Sequence, residues 1–275
     1  MLSCDSCWLS LTGGFEVIFV LGIDAATWSV IQPNFGKLPS FKRLNQLGKA
    51  KEIILNEKLI SPSIWCSMFS GKTPEEHGHD SFVAGDRLIR REDIKVEFIW
   101  DILHRMGKRV NVLNVPVVVP PYSFRVDFKP VGFGFPTNEK EWRDELEKVT
   151  EKTKELLAED PNLLISVYTL LDRIQHFHWG EDYILEWYRK LDGKIGELIF
   201  DTGFLNRKDN QLIVISDHGF CSFGEAEIQT LPFKSERGEL KGDHHQNALV
   251  ITVNLDYHIE RPQDVFSAII NEQVN

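Results

Sequence analysis

Five short, unbroken apolar runs, separated by longer amphipathic segments, restrict this chain to a narrow set of folds. The runs are Glu16–Leu21 (EVIFVL), Val110–Val115 (VNVLNV), Leu163–Tyr168 (LLISVY), Gln211–Ile215 (QLIVI) and Ala248–Val253 (ALVITV). They are rich in β-branched residues and do not alternate with polar ones, as strands covered on both faces do. Between them, the spacing predicts helices over Pro39–Leu47, Pro62–Phe69, Phe98–Met106, Glu139–Leu157, Tyr183–Ile199 and Pro262–Ile270. Strand–helix alternation of this kind predicts an α/β fold with a mostly parallel central sheet and helices on both faces. No internal repeat, low-complexity tract or flexible linker interrupts the 275 residues, so a single domain over 1–275 is expected. The proline-rich stretch from Pro116 to Pro136 fits neither pattern. It is expected to run extended over the sheet edge, within an excursion at about 80–161 that borders the functional site.

Charge narrows the class of partner. The chain carries 31 Lys+Arg and 41 Asp+Glu, a formal net charge of −10. That balance argues against a nucleic-acid coating surface, which needs a basic face, but leaves room for an anionic substrate at a locally positive pocket. Residues 8–23 are the most apolar stretch near the start, yet Glu16 and Gly13-Gly14 interrupt them. No run approaches the ~20 apolar residues of a spanning helix. No Lys or Arg precedes Lys37, so the basic start of a signal peptide is missing, and a cytoplasmic protein is expected. Cys4 and Cys7 form a C-x-x-C without a second pair at zinc-ribbon spacing, and read as incidental.

In sheets of this type, ligands bind beyond the carboxyl ends of the strands. Asp24 follows the first run after Gly22-Ile23, Asp217 and His218 follow the fourth, and Asp172 and His176 follow the third. The loop GDHHQN adds His244 before the last strand. Asp172 and His176 are four apart, hence on one face of a helix and able to share a cation. Three aspartates gathered in one cleft repel one another, and divalent cations remove that cost. Mixed imidazole and carboxylate donors suit Zn²⁺ best, with Mn²⁺ or Fe as alternatives. Each motif is weak alone; their joint occurrence at successive strand ends carries the reading.

A nucleophile candidate lies in Ser61–Gly71 (SPSIWCSMFSG). Ser61 before Pro62 reads as an N-cap serine with proline at the first helical position. Two roles stay open at this stage: Ser61 simply caps the helix, or the positive helix terminus favours its ionised oxygen as a nucleophile. Of the remaining histidines, His77 is expected to end the helix of Ser61 before Gly78, and His79, His104 and His258 to lie on the surface. His178 falls on another helix face from His176, and His245 is at most a supporting residue. Trp28 and Trp65 are expected in the core rather than against a base.

Taken together, GIDAATW, SPSIWCSMFSGKTPEEHG, FIWDILHRMGKRVNVLNVPVVVPP, LDRIQHFHW, ISDHGF and GDHHQNALVI are collinear from about residue 17 to 254. They resemble the type I phosphodiesterase / nucleotide pyrophosphatase family of the alkaline phosphatase superfamily. The resemblance implies an alkaline-phosphatase-like three-layer sandwich and two divalent metal ions. It assigns Asp172, His176 and His244 to one ion, and Asp24, Asp217 and His218 to the other. Ser61 would bridge to the second ion as nucleophile, where many relatives use threonine. The implied activity is hydrolysis of a small-molecule phosphoester through a phosphoseryl intermediate. A phosphomonoesterase or phosphomutase, or a non-catalytic metal-binding relative, is the alternative. The family usually has an asparagine three residues after the nucleophile, where this chain has Ile64, and Pro62 cannot donate a backbone hydrogen bond. Lys72 and Arg173 are the candidates to hold the phosphoryl oxygens instead; Arg173 adjoins a metal-ligand candidate and has the shape for bidentate phosphate binding.

Overall fold

The structure is a computed structural model that describes residues 16–130, 138–227, 230, 233–235 and 238–274. Cys4, Cys7 and Pro136 lie outside the described residues. In chain order the elements begin β1 (Ile18–Ile23), α1 (Trp28–Ile31), α2 (Pro39–Leu47), β2 (Lys49–Ile54), α3 (Ser61–Ser70) and α4 (Pro74–His77). A small hairpin, β3 (Val83–Ala84) and β4 (Arg87–Leu88), precedes α5 (Ile99–Arg105), β5 (Val110–Val115) and β6 (Tyr122–Phe124). Then come α6 (Glu139–Leu157), β7 (Leu163–Tyr168), α7 (Leu170–His178), α8 (Asp182–Gly196) and β8 (Gln211–Ile215). The chain closes with β9 (Gly219–Ser222), β10 (Lys234–Ser235), β11 (Gly238–Glu239), β12 (Gly242–His245), β13 (Asn247–Val253) and α9 (Asp264–Val274).

The main sheet has the order β2-β13-β8-β1-β7-β5-β6. Its centre, β8-β1-β7-β5, is parallel, while β13, which pairs antiparallel with both β8 and β2, and β6, antiparallel to β5, make the flanks mixed. Alternate side chains of each central strand enter opposite cores, as the two-residue period of a strand requires. Phe19, Leu21, Ile23, Leu164, Leu212 and Val214 pack beneath α2, α6, α7 and α8. Ile18, Val20, Ile165, Val167, Ile213 and Ile215 pack beneath α3, α5 and α9. The expected α/β fold, with helices on both faces, is the one observed.

Each apolar run is a strand of this sheet, and every predicted helix is present. The differences have local causes. Edge strand β2 (KAKEII) escaped the sequence pattern because it is mostly exposed and lysine-rich, the composition by which edges avoid further pairing. The regular turns of α8 stop at Gly196, and a π-turn over Glu197–Asp201 continues the coil. Much of the expected excursion is integral to the sandwich: Trp100, Val112 and Trp142 are buried in its two cores. The β3–β4 hairpin forms a small sheet of its own, whereas the start of the proline-rich stretch stays with the sandwich: Val117 and Val118 are buried in one core, and β6 closes the sheet edge. Among the described residues no helix is long and apolar enough to cross a membrane.

Candidate metal centre and nucleophile

The parallel centre of the sheet delivers its carboxyl ends to one rim. Ile23 of β1 is level with Tyr168 of β7, and Gly22 with Ile215 of β8. The residues immediately beyond, Asp24, Asp172 at the start of α7, and Asp217-His218, therefore converge. Antiparallel pairing of β12 with β9 sets His244 opposite Phe220 and hangs it over the same rim. Gly22 allows α3 to come close: a Cβ there would lie 2.7 Å from the Trp65 ring and 2.8 Å from Val167. Without a side chain at Gly22, the helix that begins with Ser61 packs directly on the end of β1.

Ser61 is the first helical residue, and Ile60, not Ser61, is the N-cap; no side chain caps this helix. The expected capping role is thereby corrected. Pro62 fits the first turn because its missing N–H would have no intrahelical partner there. The Ser61 hydroxyl, not used as a cap, lies in hydrogen-bond range of His218 Nε2, at 3.4 Å.

Three imidazoles line the cleft in one tautomer. Nδ1 of His176 meets the Gly242 carbonyl at 3.1 Å, Nδ1 of His218 meets Gly219 O at 2.9 Å, and Nδ1 of His244 meets Leu59 O at 2.7 Å. A carbonyl only accepts, so each Nδ1 carries the hydrogen and each Nε2 presents a lone pair to the cleft. That arrangement orients histidine ligands in metal sites. Gly242 permits its part of it: a Cβ there would meet Phe220 at 2.4 Å and Trp179 at 2.8 Å.

The carboxylates complete the donor set. Asp172 Oδ1 is 3.2 Å from both His176 Nε2 and His244 Nε2, which are themselves 3.1 Å apart. His218 Nε2 lies 3.4 Å from Asp217 Oδ2, 3.7 Å from Asp24 Oδ1 and 4.0 Å from Asp172 Oδ1. Those same oxygens, Asp24 Oδ1, Asp172 Oδ1 and Asp217 Oδ2, are buried without a hydrogen bond. Donors at ~2.1 Å around a tetrahedral ion stand ~3.4 Å apart, so orphaned oxygens and inward Nε2 atoms at these separations fit divalent cations. Two overlapping groups have this geometry, Asp172/His176/His244 and Asp24/Asp172/His218, with Asp172 common to both.

Electrostatics separates the acids. Burial, then Asp217 and Asp172, push Asp24 well above the carboxylate range. Burial also acts on Asp172, but His176 and His244 more than offset it and hold that carboxyl well below its ordinary value. Burial lowers His218; at His244 burial is outweighed by the combined pull of Asp172, the Leu59 carbonyl and Asp217, which raises that imidazole.

Backbone geometry shapes the Asp24 side. Ala25 has φ 63°, a left-handed conformation costing a non-glycine residue ~1–3 kcal/mol. Its N–H donates to Asp217 Oδ1 at 3.2 Å, and its carbonyl accepts from Gln175 Nε2 at 2.9 Å. Neither Ala25 nor Gln175 stood out in the sequence; an alanine gives no sign of a left-handed backbone.

Of the two expected phosphate-holding cations, Lys72 lies away from Ser61, while Arg173 is beside the cleft, where its charge acts on Asp24, but is held by internal partners. Lys72 follows the C-terminal end of α3 and pairs with Glu76 at 3.5 Å. Ten helical residues span ~15 Å, which removes Lys72 from Ser61 at the other end. Arg173 is buried, pairs with Glu145 of α6 and donates to Thr169 Oγ1 at 2.7 Å, so its charge is compensated inside the protein. Ile64 and Trp65 are core residues, and Trp28 is buried with its ring N–H on the Lys51 carbonyl. The helix of Ser61 stops at Ser70, so His77 does not end it; His77 instead ends the separate short α4, before Gly78. His79, expected at the surface, is buried and bonds the Val117 carbonyl at 2.6 Å, tying the segment after α4 to the end of β5. His178 bonds Glu181 outside the cleft.

Known proteins place the chain among relatives. The sequence pattern of the type I phosphodiesterase / nucleotide pyrophosphatase family matches residues 18–230. No curated protein sequence matches it. Phosphonoacetate hydrolase from Sinorhizobium meliloti 1021, in complex with phosphonoformate, superposes with a TM-score of 0.66 at 13% identity, covering 94% of this chain and 96% of that one. Murine ectonucleotide pyrophosphatase / phosphodiesterase 5 superposes with a TM-score of 0.60 at 14% identity, over 94% and 95% of the two chains. The human protein of that name gives 0.59 at 13% identity, over 94% of each. At such identities the likeness establishes the alkaline-phosphatase-like fold.

Proposed function

The chain belongs to the type I phosphodiesterase / nucleotide pyrophosphatase family, and from that premise we propose that it is a metal-dependent phosphoester hydrolase with Ser61 as nucleophile. The observation that carries this reading is a helix-start hydroxyl 3.4 Å from His218 Nε2, an imidazole that itself lies 3.4–4.0 Å from buried carboxylate oxygens without hydrogen bonds. Asp172, His176 and His244 would hold one divalent cation, and Asp24, Asp217 and His218 the second, with zinc the ion best matched to the donors. Bound cations supply charge neutralisation for the Ser61 alkoxide and for the phosphoryl and leaving oxygens.

The protein's own groups do the rest. Ser61 Oγ attacks phosphorus as the bond to the leaving oxygen breaks, giving a phosphoseryl intermediate. Water then attacks that phosphorus from the vacated side and frees the serine. The positive end of α3 favours the anion at Ser61 and the phosphoryl oxygens beside it. With Lys72 and Arg173 committed elsewhere, this helix terminus is the protein's contribution to holding phosphate. The substrate is a small phosphoester rather than a nucleic acid, since the net charge of −10 provides no extended basic surface.

Purified protein is expected to hydrolyse a nitrophenyl phosphodiester with added Zn²⁺ or Mn²⁺ and to stop on EDTA addition. Ser61→Ala is expected to abolish turnover while keeping the metal content. Unchanged turnover in Ser61→Ala would refute the assignment, and comparing mono- with diester rates sets the substrate class.

A further inference from the structure

The two halves of the cleft share a mechanical link that the ligand set does not reveal. We propose that Gln175 is a positioning residue: from the helix that carries Asp172 and His176, it holds the Asp24 turn in its ligating conformation. This rests on the reading of the cleft as a two-cation site.

Gln175 is fully buried on α7, three residues after Asp172 and one before His176. Its amide is fixed in orientation. Nε2 donates to the Ala25 carbonyl at 2.9 Å, so Oε1 faces Tyr188, whose hydroxyl donates to it at 3.0 Å. The Tyr188 oxygen in turn accepts the Thr27 N–H at 3.2 Å. The turn after Asp24 is thus gripped at Ala25 O and Thr27 N by one chain of side chains. At its other face, Ala25 N is held by Asp217 Oδ1 at 3.2 Å.

The grip matters because Ala25 has φ 63° without being glycine. An alanine in isolation leaves that region, and the rotation would swing the adjoining Asp24 carboxylate away from His218. Asp24 also has reason to move: it is buried beside Asp217 and Asp172, whose charges oppose its own. A neutral amide suits the role, since it holds the turn without adding another charge to the carboxylate cluster. Any displacement of α7 moves Asp172, His176 and, through Gln175, Asp24 together.

The test is calorimetric titration of Zn²⁺ into the metal-stripped full chain, with circular-dichroism melting to establish folding. Wild type is expected to bind two ions. Gln175→Leu is expected to keep the ion on Asp172, His176 and His244 and to weaken the other by about 10–100-fold, the usual range for a supporting residue. Tyr188→Phe, which removes only a hydroxyl, gives a smaller loss at the same site and carries the test should Gln175→Leu not fold. Adding Ala25→Gly to either variant is expected to recover part of the lost affinity, because glycine adopts the left-handed conformation unaided. A purely structural glutamine would weaken both sites alike and show no recovery with Ala25→Gly; that result, or two unaltered ions in both Gln175→Leu and Tyr188→Phe, overturns the proposal. Wild type that binds no cation overturns the two-cation reading itself, and this inference with it.

Discussion

Asp172 and His176 enter the cleft from one helix, four residues apart, whereas Asp24 and Asp217 reach it from turns beyond β1 and β8. On the helix side, regular backbone aligns the donors, and two imidazoles compensate one carboxylate. On the turn side, two carboxylates share one imidazole, and a left-handed alanine aims them. The charges respond accordingly: Asp172 is held well below the carboxylate range, and Asp24 is driven well above it. In the first half, two imidazoles compensate the Asp172 charge even without a cation. The other is assembled at a cost that a bound cation offsets, as strained functional sites commonly are.

Charge-removing variants test this contrast most directly, in the presence of EDTA. Asp172→Asn is expected to produce the largest effect, because its oxygen serves both candidate groups. It removes the partner of His176 and His244, lowering metal-free stability by about 3 kcal/mol, the scale for breaking a buried pair. With metal restored, its affinity loss should exceed the ~100-fold ceiling typical of supporting residues. A melting temperature equal to wild type would contradict the asymmetry.

Asp24→Asn is expected to behave in the opposite way. Burial beside Asp217 and Asp172 raises this carboxyl and disfavours its charged form without a cation, and asparagine removes that charge. Metal-free melting should change by less than about 0.5 kcal/mol, the range of substitutions that break no named interaction, while metal binding at the turn side is lost. Strong destabilisation of metal-free Asp24→Asn would show that the turn is satisfied on its own.

The smallest effect lies outside both halves. Burial, reinforced by Glu75 and opposed by a hydrogen bond from Ser67, raises Glu57 from 4.5 to about 7. The folded state therefore holds that proton above pH 4.5, and its stabilising contribution, full at low pH, is lost as pH rises through about 7. Glu57→Gln should flatten this slope in denaturation curves between pH 4.5 and 7 and leave metal affinity unchanged. A change in metal affinity would extend the cleft to the loop before Ser61.

Elements generated by local periodicity were legible in advance. The Asp172/His176 pair follows from helical spacing, and Asp24 and Asp217 from their positions after runs that could only be buried strands. Features that depend on distant partners were not. Nothing near Lys72 tells which end of α3 faces the cleft, and the burial of Arg173 depends on Glu145, which lies 28 positions earlier. His79 resembles any polar residue after a turn until the Val117 carbonyl meets it. The place of the Ser61 hydroxyl depended on a single helical position: as an N-cap it would have bonded the helix backbone, whereas as the first helical residue it meets His218 instead.

Order along the chain was enough to determine a doubly covered, largely parallel sheet and to put acidic and imidazole side chains beyond its carboxyl ends. Strand burial and helix spacing are short-range properties, written in neighbouring residues. Tertiary packing alone put Asp172 within both candidate donor groups, turned the Nε2 atoms of the three imidazoles inward, and bent Ala25 into a strained turn. Each of those depends on a backbone carbonyl or side chain brought from elsewhere in the chain, and such meetings have no local signature.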